Sequence, residues 1–239
     1  LLSATLFSLL YYIIVSPILD SDYGIIIGLT VTPGDVHDTV PYLAQLEALH
    51  QTVIPLKAAA ADSAYDFPLE HQELEKLGIA FFVWPQPVHD RTQAEFKRKA
   101  FSYQPDQDVY LCPQGKILTR KGLYRSASGL LWQYQAEKAD CICCPVRDKC
   151  LREYDRRGAR KLEDNYFKPA VQRSRNRRKT DEYRQALKKR QVWCEGALAI
   201  QKRCHNLTQL LWRGFEAAEA HCLLSATAMD LKQMIKHLT

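Results

Sequence analysis

The sequence predicts an α/β protein: a mixed sheet with flanking helices, interrupted by a cysteine-containing insertion. Three observations carry this. Apolar β-branched runs alternate with helical patterns up to Trp84. Residues 85–180 then turn polar, basic and cysteine-bearing. From Thr180 a helical period returns and runs to the end. Sheet and helix in alternation imply packed layers around a common core. The expected organisation is therefore 1–84 as the first part of a core, 85–180 as an inserted subdomain, and 181–239 as closing helices.

Each element has its own local signal. Ile13–Leu19 and Ile25–Val31 are apolar and β-branched, joined by Asp20-Ser21-Asp22-Tyr23-Gly24, a hairpin pattern with an Asp- and Gly-rich turn. Thr32-Pro33-Gly34-Asp35 stops the second strand. Asp38 is placed to cap a helix over about 40–50, with Leu43, Leu46 and Leu49 on one face. The alanines of Val53–Ala61 favour helix by propensity, but Val53, Ile54 and the bounding residues allow a buried strand. Leu69–Leu77 reads as a helix closed by Gly78. Ile79–Trp84 is a strand stopped by Pro85 and Pro87. Within the insertion, Val109-Tyr110-Leu111 and Leu130–Tyr134 are strand-like. Asp181–His205 reads as one long helix and Phe215–Leu238 as another, the latter with Leu224, Ala228, Leu231, Ile235 and Leu238 at helical spacing.

The 239 residues include 33 Lys and Arg against 27 Asp and Glu, a net charge of +6. With 46% apolar and 25% charged residues, disorder, collagen and low complexity are excluded. Residues 151–203 alone carry 17 basic and 7 acidic residues, so the rest of the chain is net acidic. Such a block suits either a polyanionic partner or a solvated helical surface. The uncharged stretch Leu1–Leu19 is long enough to suggest a membrane anchor, but its hydroxyls, Pro17 and lack of a basic flank argue against one. The chain opens on Leu, which reads as a fragment beginning inside a domain.

Three constellations could carry chemistry. Asp62 ends an apolar strand, where a carboxylate is fixed in direction and meets solvent, as a hard-cation ligand or as a turn cap. Glu195 lies in the long helix with Lys188 and Lys202 seven residues to either side, hence on one helical face. A carboxylate between two lysines suits a cation beside a phosphate backbone, or a plain salt-bridged surface. Cys141 and Cys144 form a C-x-x-C pair, which Cys150 and Cys112 could complete as a four-thiolate Zn²⁺ site, leaving Cys143 spare. Arg177-Arg178-Lys179 and Lys188-Lys189-Arg190, with Tyr183 and Trp193 interleaved, form a possible phosphate-contacting surface.

Taken together, these pieces resemble the DDE transposases of bacterial insertion sequences. Ile18–Ile26 with Val31–Asp38, and Ala61-Asp62-Ser63-Ala64-Tyr65, are similar to that family's sheet and second catalytic Asp. Tyr110–Gly115 with the later cysteines resembles the insertion of one subgroup. Lys189–Glu195 through Lys202, His205 and Arg213 resembles the helix of the catalytic Glu and its basic continuation. The resemblance implies an RNase H-like fold in which Asp62 and Glu195 hold Mg²⁺ or Mn²⁺ for DNA cleavage and strand transfer. It implies double-stranded DNA as partner, both element ends and target, contacted by the basic residues above with Lys202 and Arg213. A second copy of the chain is a further partner, and the place of action is the cytoplasm at the nucleoid. It also implies that the first catalytic Asp precedes this segment, that the core lacks its first strand, and that this chain alone is inactive. Asp20 is not promoted to the vacant place. The rival reading is a zinc-knuckle nucleic-acid-binding module without catalysis.

Overall fold

The computed structural model describes residues 13–37, 39–86, 94–126, 129–151, 158–210, 212 and 214–238. The Asp38 cap, Pro87, Arg213 and the apolar residues 1–12 lie outside them. The chain divides into two compact units, one of residues 1–85 and 174–239, the other of residues 86–173.

The first unit opens with an antiparallel hairpin, β1 (Ile13–Leu19) against β2 (Ile26–Pro33), registered Ile13 to Pro33 and irregular at Ile18/Leu19. The Asp20 carboxylate closes its turn, accepting backbone N–H bonds from Asp22, Tyr23 and Ile25 at 3.1, 2.9 and 2.7 Å. Helix α1 (Tyr42–Thr52) buries Leu46 and Leu49. Strand β3 (Ala58–Ala61) pairs in parallel with β4 (Ala80–Val83), joined by a 3₁₀ turn over Ser63–Tyr65 and by α2 (Pro68–Lys76).

The all-alanine β3 is strand despite its propensity because both its faces are covered. Ala59, Ala61, Phe81 and Val83 join Leu46 and Leu74 in one core cluster. Ala60, Ala80 and Phe82 face Tyr183 and Leu187 in another. Continuous apolar strands are what a parallel pair buried on both sides requires.

Helix α6 (Asp181–Arg190; α3–α5 belong to the second unit or its exit) is capped by Thr180, whose Oγ accepts from the Tyr183 N–H at 3.2 Å. The long helix expected over 181–205 is broken. A π turn, Gln191–Glu195, separates α6 from α7 (Gly196–Cys204). Helix α8 (Phe215–Leu238) lies against β2, and its Asp230 carboxylate accepts from the Ile26 N–H at 2.8 Å. The packed face of α8 is the small-residue one, Ala218, Cys222, Ser225, Ala226 and Met229. Leu224, Leu231, Ile235 and Leu238, whose spacing marks the helix, are exposed. No helix among the described residues is long and apolar enough to cross a membrane.

The second unit is a five-stranded antiparallel sheet in sequential order: β5 (Ser102–Gln104), β6 (Val109–Leu111), β7 (Ile117–Ser126), β8 (Gly129–Ala136) and β9 (Lys161–Asn165). Phe101, Tyr110, Leu118, Tyr134 and Leu162 form its core. Two short helices, α3 (Lys138–Ile142) and α4 (Arg147–Cys150), precede β9, and α5 (Lys168–Asn176) leads out. Asp164 is buried, taking Arg98 and Lys168 at 2.5 Å each and the Tyr110 hydroxyl. Burial opposes its ionisation, but Arg98, Lys168 and Tyr110 outweigh that and hold its carboxyl below the usual range.

Candidate functional site

Asp62 sits where β3 ends and the 3₁₀ turn begins, with extended backbone and an exposed side chain. Its Oδ1 accepts from the Ala64 N–H at 2.9 Å and the Ser63 hydroxyl at 3.1 Å. It is thus a turn cap by geometry, and the cap fixes its direction at a strand's carboxyl end.

Glu195 is the last residue of the π turn. Its side chain is 57% exposed and its Oε1 accepts from Arg190 at 3.3 Å. The π turn corrects the expected single face. Widening one turn slips the register by about one residue, or about 100° of rotation, so Lys188 does not align with Glu195 as in an unbroken helix. Lys202 lies beyond Glu195 along α7 and keeps its spacing. Single π turns inside α-helices often mark functional positions.

The π turn is anchored ahead of Glu195 by two contacts to the β1–β2 hairpin turn. Trp193 donates its indole N–H to the Ser21 carbonyl at 3.2 Å, and Lys189 pairs with Asp22 at 2.9 Å, both on the hairpin turn. Gly24 has φ +69°, and a Cβ there would fall 2.3 Å from Trp193 Cε3. Only glycine lets the turn pass beneath that ring. The Tyr42 phenol is pushed far up by burial, with Tyr65, Cys194 and Glu70 close enough to add to the effect. Tyr42 also packs on Tyr65, ring centroids 4.6 Å apart. Tyr65 belongs to the Asp62 turn, so Tyr42 packs against that turn.

A buried ion cluster supports the same region. Asp66 accepts from Arg175 at 3.0 Å and contacts His71 Nε2 at 2.7 Å, with the His71 and Asp66 side chains almost wholly buried. It fixes Arg175 beside a cleft of about 510 Å³ lined by Trp84, Arg175, Asn176, Arg178 and Lys179. Trp84 is 51% exposed and sits edge-on to Tyr183, centroids 5.8 Å apart. Exposed Arg177, Arg178 and Lys179 form a 3₁₀ turn ahead of α6. Lys188 and Lys202 are exposed as well. Lys189 and Arg190 are instead engaged within the chain, by Asp22 and Glu195.

Sequence reading missed Trp84, Tyr42 and the Asp66–His71–Arg175 cluster. Trp84 directly follows its strand, but the basic residues beside it, Arg175, Arg178 and Lys179, lie far along the sequence. The other two depend on packing between distant segments.

In the second unit, Cys112, Cys141, Cys144 and Cys150 line one cavity of about 30 Å³, together with Lys116, Asp140, Arg147 and Arg160. Cys143 is exposed and is not in its lining. Burial raises the Cys150 thiol; Arg160 opposes this, while Cys141, Cys112 and Cys144 add to it. Among the described residues, no three His, Cys, Asp or Glu side chains are arranged as a ready metal site.

No curated protein and no solved structure matches this sequence. A family model, described as the transposase DDE domain, matches residues 111–235. The match takes in the cysteines, the basic block and Glu195, and begins beyond Asp62. Covering just over half of the chain, it shows that the protein belongs to the transposase DDE domain family, whose work is DNA transposition.

Proposed function

We propose that the first unit is an RNase H-like core in which Asp62 and Glu195 hold the divalent cation for DNA strand cleavage and transfer. The observation that carries this is the packing of α6, which leads into the π turn of Glu195, against β3, which leads into Asp62. The hairpin β1–β2, helix α1 and the β3–α2–β4 crossover, covered by α6, support the core assignment.

The donor set fits a hard cation such as Mg²⁺ or Mn²⁺: two exposed carboxylates, with water and phosphate oxygens free to complete the shell. The chemistry supplied by that cation is activation of water or a 3′-hydroxyl for in-line attack on a phosphodiester. The protein's own part is positioning. The Ala64 N–H aims Asp62. Arg190 restrains Glu195 and offsets its charge until a cation arrives. Trp193 and Lys189 tie the π turn to the hairpin. Double-stranded DNA lies along Arg177, Arg178 and Lys179, with Lys188 and Lys202 as further phosphate contacts.

The test is Mn²⁺ binding by the full chain, monitored by electron paramagnetic resonance. Asp62→Asn and Glu195→Gln should each weaken binding about tenfold or more, the loss of one ligand from a shared site. Unchanged binding in either variant would remove that residue from the site.

A further inference from the structure

We infer that Cys112, Cys141, Cys144 and Cys150 form a structural zinc site that closes one end of the five-stranded unit. The inference does not rest on the DNA chemistry of the first unit.

Three segments meet at the cavity. The first is the turn after β6. There the Cys112 N–H donates to the Lys116 carbonyl at 2.8 Å, and the Gly115 N–H donates to the Cys112 carbonyl at 2.8 Å. The Lys116 N–H donates to Cys112 Sγ at 3.3 Å, and Gly115 has φ +74°. A tight turn that aims an amide at a cysteine sulfur fixes where that sulfur sits. The second segment is α3 and its exit, carrying the Cys141/Cys144 pair, and the third is α4, ending in Cys150. The Arg160 N–H approaches Cys141 Sγ at 3.5 Å.

The charges fit the metal. Four thiolates around Zn²⁺ carry a net charge of −2. Of the charged residues lining the cavity, Lys116 is paired with Asp140 at 2.9 Å, which leaves Arg147 and Arg160 to supply +2. Both arginines also hold the cysteine backbones. Arg147 donates to the Cys141 carbonyl, and Arg160 donates to the Cys150 carbonyl at 2.9 Å.

The four sulfurs line the cavity as separate thiols, not as a finished metal site. Closure needs sulfurs about 3.5–4 Å apart around a Zn–S distance near 2.3 Å, reached by side-chain rotation into the cavity. Each thiol gives its proton to solvent as its sulfur takes the metal. Cys143, within the same local sequence, is left out because it points to solvent.

The experiment is elemental analysis of the full chain, purified with reductant and without chelator. About one zinc per chain is expected, retained in Cys143→Ser and reduced at least tenfold in Cys144→Ser and Cys150→Ser. Should those variants fail to fold, cobalt substitution in the unaltered chain gives the same answer through the thiolate-to-cobalt absorption of a tetrahedral site. Chain without zinc and without that absorption would overturn the inference. So would loss of zinc in Cys143→Ser equal to that in Cys144→Ser, or recovery of the four cysteines as disulfides under reducing purification.

Discussion

Replacing Gly24 by Ala should disturb the π turn through a single methyl group. The backbone there has φ +69°, a conformation that costs an L-residue about 1–2 kcal/mol. The new Cβ would stand 2.3 Å from Trp193 Cε3, whereas carbon atoms in contact stay about 3.5–4.0 Å apart. The indole must therefore retreat by more than ~1 Å, an overpacking cost of about 1–3 kcal/mol. That retreat also strains the bond from Trp193 to the Ser21 carbonyl. Together the destabilisation is about 2–5 kcal/mol, read by urea denaturation with circular dichroism. In a Trp193→Ala background the clash is gone, and Gly24→Ala should cost only the backbone strain of about 1–2 kcal/mol. A cost below about 0.5 kcal/mol in the unaltered chain, or the same cost in both backgrounds, would refute the docking of the hairpin turn on the π turn.

Three further perturbations have defined outcomes. Asp164→Asn leaves Arg98 and Lys168 around a buried neutral group, and because both cations are partly exposed the cost is about 2–4 kcal/mol. The folded Asp164 carboxyl is depressed, so its contribution is full above the unfolded value of about 4 and lost as pH falls through the folded one. The gap between variant and parent should narrow in acid, and a gap constant down to the acid transition would contradict this. Neutralising Arg177, Arg178 and Lys179 to Gln should weaken duplex DNA binding regardless of sequence and lower the salt slope by about 2–3. Neutralising Lys189 and Arg190 should change that slope less, because Asp22 and Glu195 already engage them.

Local signals in the sequence carry far in the first unit. The hairpin shows in its β-branched runs and Asp–Gly turn, and α8 shows in its spacing to the residue. The face that α8 buries does not show, because β2 selects its small residues over its larger leucines and isoleucine. Strand β3 is ambiguous locally, since only β4, α1 and α6 decide that four alanines extend. Strands β7 and β9 escape notice because charged residues crowd them. In β9 a buried position is held by Asp164, satisfied by Arg98 from another segment. The π turn has no sequence signature, and it alters which lysine shares a face with Glu195. The chemical types of the candidate site are legible as a strand-end Asp, a helical Glu and a cysteine knuckle. Tyr42, which packs on Tyr65 of the Asp62 turn, is not legible, because it meets that turn only through packing.

The central claim is that Asp62 and Glu195 serve one cation. Iron-mediated cleavage of the protein backbone tests it directly, because Fe²⁺ occupying a Mg²⁺-type oxygen site releases short-lived radicals that cut only nearby chain. Fe²⁺ with ascorbate should cut the full chain at two places, beside Asp62 and beside Glu195. Excess Mg²⁺ should suppress both cuts together, and Asp62→Asn should abolish the cut beside Glu195 as well as its own. Cuts at only one of the two segments, or a Glu195 cut that survives Asp62→Asn, would contradict the shared site.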